Sequence, residues 1–331
     1  MQVTAGTQTG RVVALCGGIG GAKLALGLHS ILEPGTLTVI VNTGDDFEHL
    51  GLHISPDLDT VLYTLGGVAD PDRGWGRANE TWNFMKGLDQ LGGETWFRLG
   101  DRDLAMHVLR TAWLRSGKSL SDFTSLSAHA LGISAKILPM TDHTVRTIVE
   151  TVEGDLAFQD YFVRRRCEPA VKGIRFDGAA QAKPSAEATN ALSESNVRAI
   201  VICPSNPYLS IDPILAVPGI RRAIKNATAP VIAVSPIIGG NAVKGPTAKI
   251  MRELGRVVNT QTILTHYRDL IDALVIDESD RRDTAGISTP IMATRTKMET
   301  LADRIRLARE VITYSSSFRQ SSSERTLRVA Q

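Results

Sequence analysis

A short apolar run that stops on a glycine-rich stretch constrains this chain more than any other feature. Val12-Val13-Ala14-Leu15 reads as a buried strand, and Gly17-Gly18-Ile19-Gly20-Gly21 follows at once. Leu24, Ala25, Leu28, Ile31 and Leu32 then recur at helical spacing, which predicts an amphipathic helix. Pro34-Gly35 ends it, and Leu37-Thr38-Val39-Ile40-Val41 begins a second buried strand. Strand, glycine turn, helix, strand is a βαβ unit, so the sheet is expected to be parallel here. The same order returns later. Ala199-Ile200-Val201-Ile202 runs into Cys203-Pro204-Ser205-Asn206-Pro207, and Val231-Ile232-Ala233-Val234 into Ser235-Pro236-Ile237-Ile238-Gly239-Gly240. Leu274-Val275-Ile276 before Asp277 looks like a further strand. The expected fold is α/β: a Rossmann-like, doubly wound, mostly parallel sheet with binding loops at the strand C-terminal ends.

Between the two blocks the pattern changes. Leu104, Val108, Leu109 and Leu114 suggest a helix after Asp101-Arg102-Asp103. From Ala135-Lys136-Ile137-Leu138 through Thr147-Ile148-Val149 to Glu153-Gly154-Asp155, short β-like runs alternate with turn residues. Residues 120–196 are therefore read as an inserted α+β subdomain between a first half, 11–119, and a second half, 197–314. The small polar residues 1–10 and the serine-rich tail 315–331 are expected to be disordered. With 43% hydrophobic and 22% charged residues and a net charge of +2, a nucleic-acid coat is disfavoured, though a local phosphate site is not. No apolar run approaches the roughly 18 residues of a membrane helix. Cys16, Cys167 and Cys203 lie far apart, against a disulfide framework or a cysteine-rich zinc site. Lacking a signal-peptide pattern as well, the chain is expected to be cytoplasmic, with no nucleic-acid or membrane partner.

Four groups of loops can carry chemistry. The glycine loop ends a strand and opens a helix, where backbone N–H groups can meet a phosphate; Gly18, Gly20, Gly21 and Lys23 are the candidate contacts. Lys23 stands where a dinucleotide fingerprint has its third glycine, and the loop is not a Walker loop. A tight turn alone would also explain the glycines. Second come two acidic pairs, Asp45-Asp46 and Asp57-x-Asp59. Such carboxylates repel unless a cation joins them, and Mg²⁺ takes this type of ligand. One member of each pair is expected to cap a turn or helix, with Asp46 and Asp59 left as the functional ones. Third, three of four tryptophans fall between Trp75 and Trp96, among Arg73, Arg98 and Arg102, as a stacking surface for a flat heteroaromatic ligand would require. Core anchoring and local ion pairs are the competing explanation. Fourth, Ser205, Asn206 and Ser235 lie in turns able to read a base or phosphate, with Lys244 on the same rim. His49 and His53 lack the companion residues of a zinc pair.

Together these motifs resemble the 2-phospho-L-lactate transferase family of coenzyme F420 biosynthesis. The likeness rests on Gly17 to Leu24, Asn42 to Asp46, Ser55 to Tyr63, Gly100 to Ala105, Pro204 to Pro207 with Ser210-Ile211, and Ser235 to Gly239. It spans about Arg11 to Asp280. The resemblance implies an Mg²⁺-dependent transfer of a phospho-lactyl or phosphoenolpyruvyl group from a guanosine-diphosphate-linked three-carbon acid to the ribityl hydroxyl of the deazaflavin FO, releasing GMP. It implies that Asp59 and Arg98 contact FO, and that the enzyme is a homodimer. With the acidic pairs above, it makes Asp46 and Asp59 the expected metal ligands and catalytic residues. Two rivals remain. One is a related glycine-rich group of regulators that bind sugar nucleotides; Phe47-Glu48-His49-Leu50 after the paired acids speaks against it. The other is an NAD(P)-dependent oxidoreductase, opposed by Lys23 and by the acid-rich second loop.

Overall fold

The computed structural model describes residues 10–242, 245–284 and 286–318. Lys244, residues 1–9 and the end of the expected tail, 319–331, lie outside them. Seven strands form one sheet, in the spatial order Ile291–Thr294, Ala273–Asp277, Val231–Val234, Val197–Ile202, Arg11–Cys16, Leu37–Val41, Lys136–Pro139. Every neighbouring pair is parallel. From the strand Arg11–Cys16 the chain first works outward to one edge. It then returns to Val197–Ile202 and works outward to the other. Loops leaving these two adjacent strands diverge, which opens a crevice at their C-terminal ends.

Helices cover both faces, so the strands are apolar throughout rather than alternating. Val12, Ala14 and Cys16 pack with Val39, Val41 and Val201 on one face, and Val13 and Leu15 pack with Ile40, Ile200 and Ile202 on the other. Helix Gly18–Ile31 buries Leu24, Ala25 and Leu28, as their spacing predicts. Across it lies helix Leu301–Ser316, which begins on a Thr300/Asp303 capping box. Gly27 marks the crossing: a Cβ there would collide with the carbonyl of Arg304, so the two backbones meet directly. This helix carries residues 315 and 316, and Ser315 is buried. The expected disordered tail therefore starts too early. Serine composition concealed the helical face Leu307, Ala308, Val311 and Ile312.

A separate three-stranded antiparallel sheet joins Gly154–Ala157, Arg146–Thr151 and Val171–Asp177. The expected insertion, 120–196, is too wide. Helix Leu120–Ala130 packs Leu120 and Ala128 into the main core, Lys136–Pro139 is the edge strand of the large sheet, and helix Ala186–Ser193 buries Ala188, Ala191 and Leu192 against its other face. A four-residue apolar run carries no mark of which sheet it joins. The lobe's small core combines Val149, Tyr161 and Val171 with Leu209 and Ile250 of the main body, so the lobe is seated on the sheet layer. No described helix is long and apolar enough to cross a membrane.

Candidate active site

A cavity of about 760 Å³ occupies the crevice where chain order reverses. Of the residues singled out from sequence, Gly18, Gly20, Lys23, Asp59, Arg98, Ser205, Asn206 and Ser235 line it; Gly21 and Asp46 do not.

The glycine wall is built by close approach. A Cβ on Gly20 would lie 2.5 Å from the Pro204 carbonyl oxygen, and one on Gly21 would overlap the Ser205 hydroxyl. Packing alone accounts for a glycine at position 21, which does not line the cavity. Gly18 has a different reason: its φ of +63° favours a residue without Cβ. Ser205 braces this wall, its hydroxyl donating to the Gly17 carbonyl at 2.8 Å and accepting from the Gly17 N–H at 3.2 Å. Asn206 accepts from the N–H groups of Tyr208 and Leu209, and Ser235 from that of Ile237. These three side chains, expected to contact a base or phosphate, thus also hold their own loops in shape. Lys23 donates to the Met298 carbonyl at 2.8 Å, tying the first helix to the 296–299 segment that forms another side of the cavity.

The acidic residues sort differently from expectation. Asp46 is buried, but it accepts from Ser55 at 2.8 Å and lies 3.1 Å from His53 Nε2. The hairpin of Phe47–His49 with Leu52–Ile54 brings His53 to it, and Ser55 follows directly as the N-cap of helix Pro56–Leu65. Asp45 faces the cavity instead, and so does Asp57. Asp57 accepts from the Gly18 N–H at 2.8 Å and from Asn42 at 2.9 Å. Burial still raises its pKa to about 6. Asp45 is pushed well above the usual carboxylate range, by burial first and by the charge of Asp57 next. Two buried carboxylates under mutual repulsion, with only oxygen atoms to offer, suit a hard divalent cation.

Asp59 lines the cavity as expected, but with a partner that sequence reading missed. Arg110, 1% exposed, donates to both its oxygens. Burial raises the pKa of Asp59, and the charges of Arg110 and His107 oppose that rise. His107 Nδ1 lies 3.7 Å from Asp59, and its Nε2 lies 3.3 Å from Asp103. Asp103, His107 and Arg110 all belong to the helix Asp101–Arg115, which turns them inward and leaves Val108 and Leu109 exposed. The signal was present as a polar stripe at positions i, i+4 and i+7, set against the apolar residues that suggested the helix.

The opposite wall is aromatic. The Arg98 guanidinium lies 4.2 Å from the ring centre of Trp82, and Arg73 lies over both Trp75 and Trp82. Trp75 and Trp96 reach the cavity. The lobe adds Phe158 and Phe162, stacked with centroids 5.3 Å apart and planes 16° from parallel, while Arg164 reaches across to Trp96 at 4.5 Å. No local motif foretold the two phenylalanines.

The family model described as 2-phospho-L-lactate transferase CofD matches residues 12–317. A phosphoenolpyruvate transferase of Kitasatospora aureofaciens is 40% identical over 311 residues, covering 90% of this chain and 96% of that protein. A 2-phospho-L-lactate transferase of Methanocaldococcus jannaschii is 38% identical over 310 residues, covering 92% and 98%. Among solved structures, a UPF0052 family member from Bacillus halodurans matches with a TM-score of 0.63 at 17% identity, over 93% of this chain and 100% of that one, a likeness of fold alone. The family match begins inside the first strand and ends beyond the last helix, taking in every wall of the cavity; the chain belongs to the 2-phospho-L-lactate transferase family, and is a transferase of coenzyme F420 biosynthesis.

Proposed function

We propose that the chain transfers a phospho-lactyl or phosphoenolpyruvyl group from a guanosine-diphosphate-linked three-carbon acid to the ribityl hydroxyl of FO, releasing GMP. The observation that carries this reading is one cavity at the chain reversal. Around one space it gathers a helix N-terminus, three buried carboxylates and an arginine–aromatic wall.

Phosphoryl-type transfer asks a protein chiefly for alignment and charge neutralisation. Helix Gly18–Ile31 has no acidic residue in its first turn. Beyond Gly18, its first N–H groups have no intrahelical acceptor, so Ile19 and Gly20 offer donors to a diphosphate. Mg²⁺ fits the donor set of Asp45 and Asp57, and when bound it would neutralise the diphosphate and favour departure of GMP. For Mg²⁺ these two are preferred to the expected pair: Asp46 lies off the cavity with its Oδ2 held by Ser55 and His53, and Asp59 has an imidazole, that of His107, beside it. Asp59 then serves the acceptor, orienting the attacking hydroxyl and taking its proton. Arg98, steadied by Trp82, frames the deazaflavin.

Mass spectrometry after incubation with FO, Mg²⁺ and each guanylylated acid tests the reading. The expected outcome is GMP and a phospho-acid-linked deazaflavin with at least one donor. Absence of both with lactyl, enolpyruvyl and glyceryl donors overturns it. Tight binding of a uridine sugar nucleotide without deazaflavin affinity would support the regulatory alternative. The homodimer is part of the same proposal, and light scattering checks it.

A further inference from the structure

We infer that Asp59, Asp103 and His107 form a second divalent-cation site, suited to a transition ion such as Mn²⁺ or Co²⁺ and separate from the Asp45/Asp57 pair. One ligand atom from each residue lies within 4.8 Å of the others, and they are the only group among the described residues to meet that measure. All three line the cavity, so an ion can enter from the substrate side.

The independent observation is the state of the imidazole. The side chain of His107 is 2% exposed, yet neither ring nitrogen has a well-aligned hydrogen bond to the carboxylates beside it. Asp103 is only 3.3 Å from Nε2 and Asp59 3.7 Å from Nδ1, so the obstacle is direction as well as distance. An imidazolium between two carboxylates would need its N–H groups aimed at their oxygens. A metal ion would take the lone pair of one ring nitrogen with one oxygen from each carboxylate, all within 4.8 Å of one another, and leave the other nitrogen its proton. The supports of a metal site are also in place. Tyr63 donates to the other Asp103 oxygen, and Arg110 donates to Asp59. Such outer partners fix ligating carboxylates. Each Asp59 oxygen keeps a second lone pair beside its guanidinium bond. An imidazole in the set favours Mn²⁺, Co²⁺ or Zn²⁺ over Mg²⁺, while the all-oxygen Asp45/Asp57 pair favours the reverse.

Mn²⁺ is the probe, added to chelator-treated protein in a large excess of Mg²⁺. The expected result is one retained Mn²⁺ per chain with ¹⁴N coupling to imidazole in pulsed electron paramagnetic resonance. His107→Gln should abolish that coupling. Asp103→Asn should weaken Mn²⁺ retention at least tenfold, and it decides the matter should the histidine variant not fold. Asp45→Asn should weaken Mg²⁺ binding yet leave the nitrogen-coupled Mn²⁺ in place, so the two cation assignments fail separately. The inference is overturned if Mg²⁺ excess displaces all Mn²⁺, if retained Mn²⁺ shows no nitrogen coupling, or if the coupling survives His107→Gln.

Discussion

The two walls of the cavity are made by opposite means. On the chain-reversal side the protein removes side chains until backbone meets backbone, as Gly20 does against the Pro204 carbonyl. On the far side it adds them: a buried arginine on Asp59, guanidinium groups over tryptophans and a stacked phenylalanine pair. One wall is set by steric exclusion and the other by charge and ring contacts. They should therefore fail differently when altered.

The largest effect is expected on the charged wall. Arg110→Met leaves Asp59 buried without its partner and should cost about 3–5 kcal/mol. Urea unfolding at pH 7 reads this, and a loss below 1 kcal/mol would mean that Asp59 finds other compensation. Next comes the steric wall. Gly20→Ala should cost about 1–3 kcal/mol through overpacking, with little dependence on salt or pH. A variant as stable as the parent would show that the Pro204 loop yields freely. Third, Asp57→Asn should stabilise the metal-free protein by about 1–2 kcal/mol above pH 7, the gain from a roughly two-unit pKa elevation less a weakened hydrogen bond. The sign follows from the raised pKa. Folding favours the protonated acid, so this group's stabilisation is full below about pH 4 and is lost as pH climbs through about 6. Thermal melts at pH 4 and pH 8 should thus differ in the parent protein more than in the variant. The smallest effect is at the rim. Arg98→Gln should raise the KM for FO about two- to fivefold, the order of one exposed cation–π contact, with kcat nearly unchanged. A fall in kcat alone would move Arg98 from holding the acceptor to acting on the reacting group.

The same contrast explains what could be read in advance. Glycines at a strand end, apolar strands and a crossover are local patterns, so the parallel sheet and the reversal-side wall follow from the residues around Gly17 and Pro204. Asp59 and Arg98 were legible through their motifs and do face the cavity. The choice between Asp46 and Asp45 was not legible, because it turns on which carboxylate His53 and Ser55 capture. Nor was the lobe's extent. Lys136–Pro139 and Arg146–Thr151 are both short strands, and only pairing tells that one joins the large sheet and the other does not. Arg110 was missed for another reason: an arginine on a helix is ordinarily solvated, and only the inward stripe with Asp103 and His107 argued otherwise.

The bare crossing of Gly27 with Arg304 bears on how the molecule is made. During synthesis the helix behind the glycine loop has no backing until the segment from Leu301 emerges, some 275 residues after Gly27. A nascent chain cut short before that point would keep nearly every ligand-facing residue while lacking the buttress that seats them. Ligand binding should therefore appear only once the helix Leu301–Ser316 has emerged, and clipping that helix should silence the protein without touching a single residue that lines the cavity.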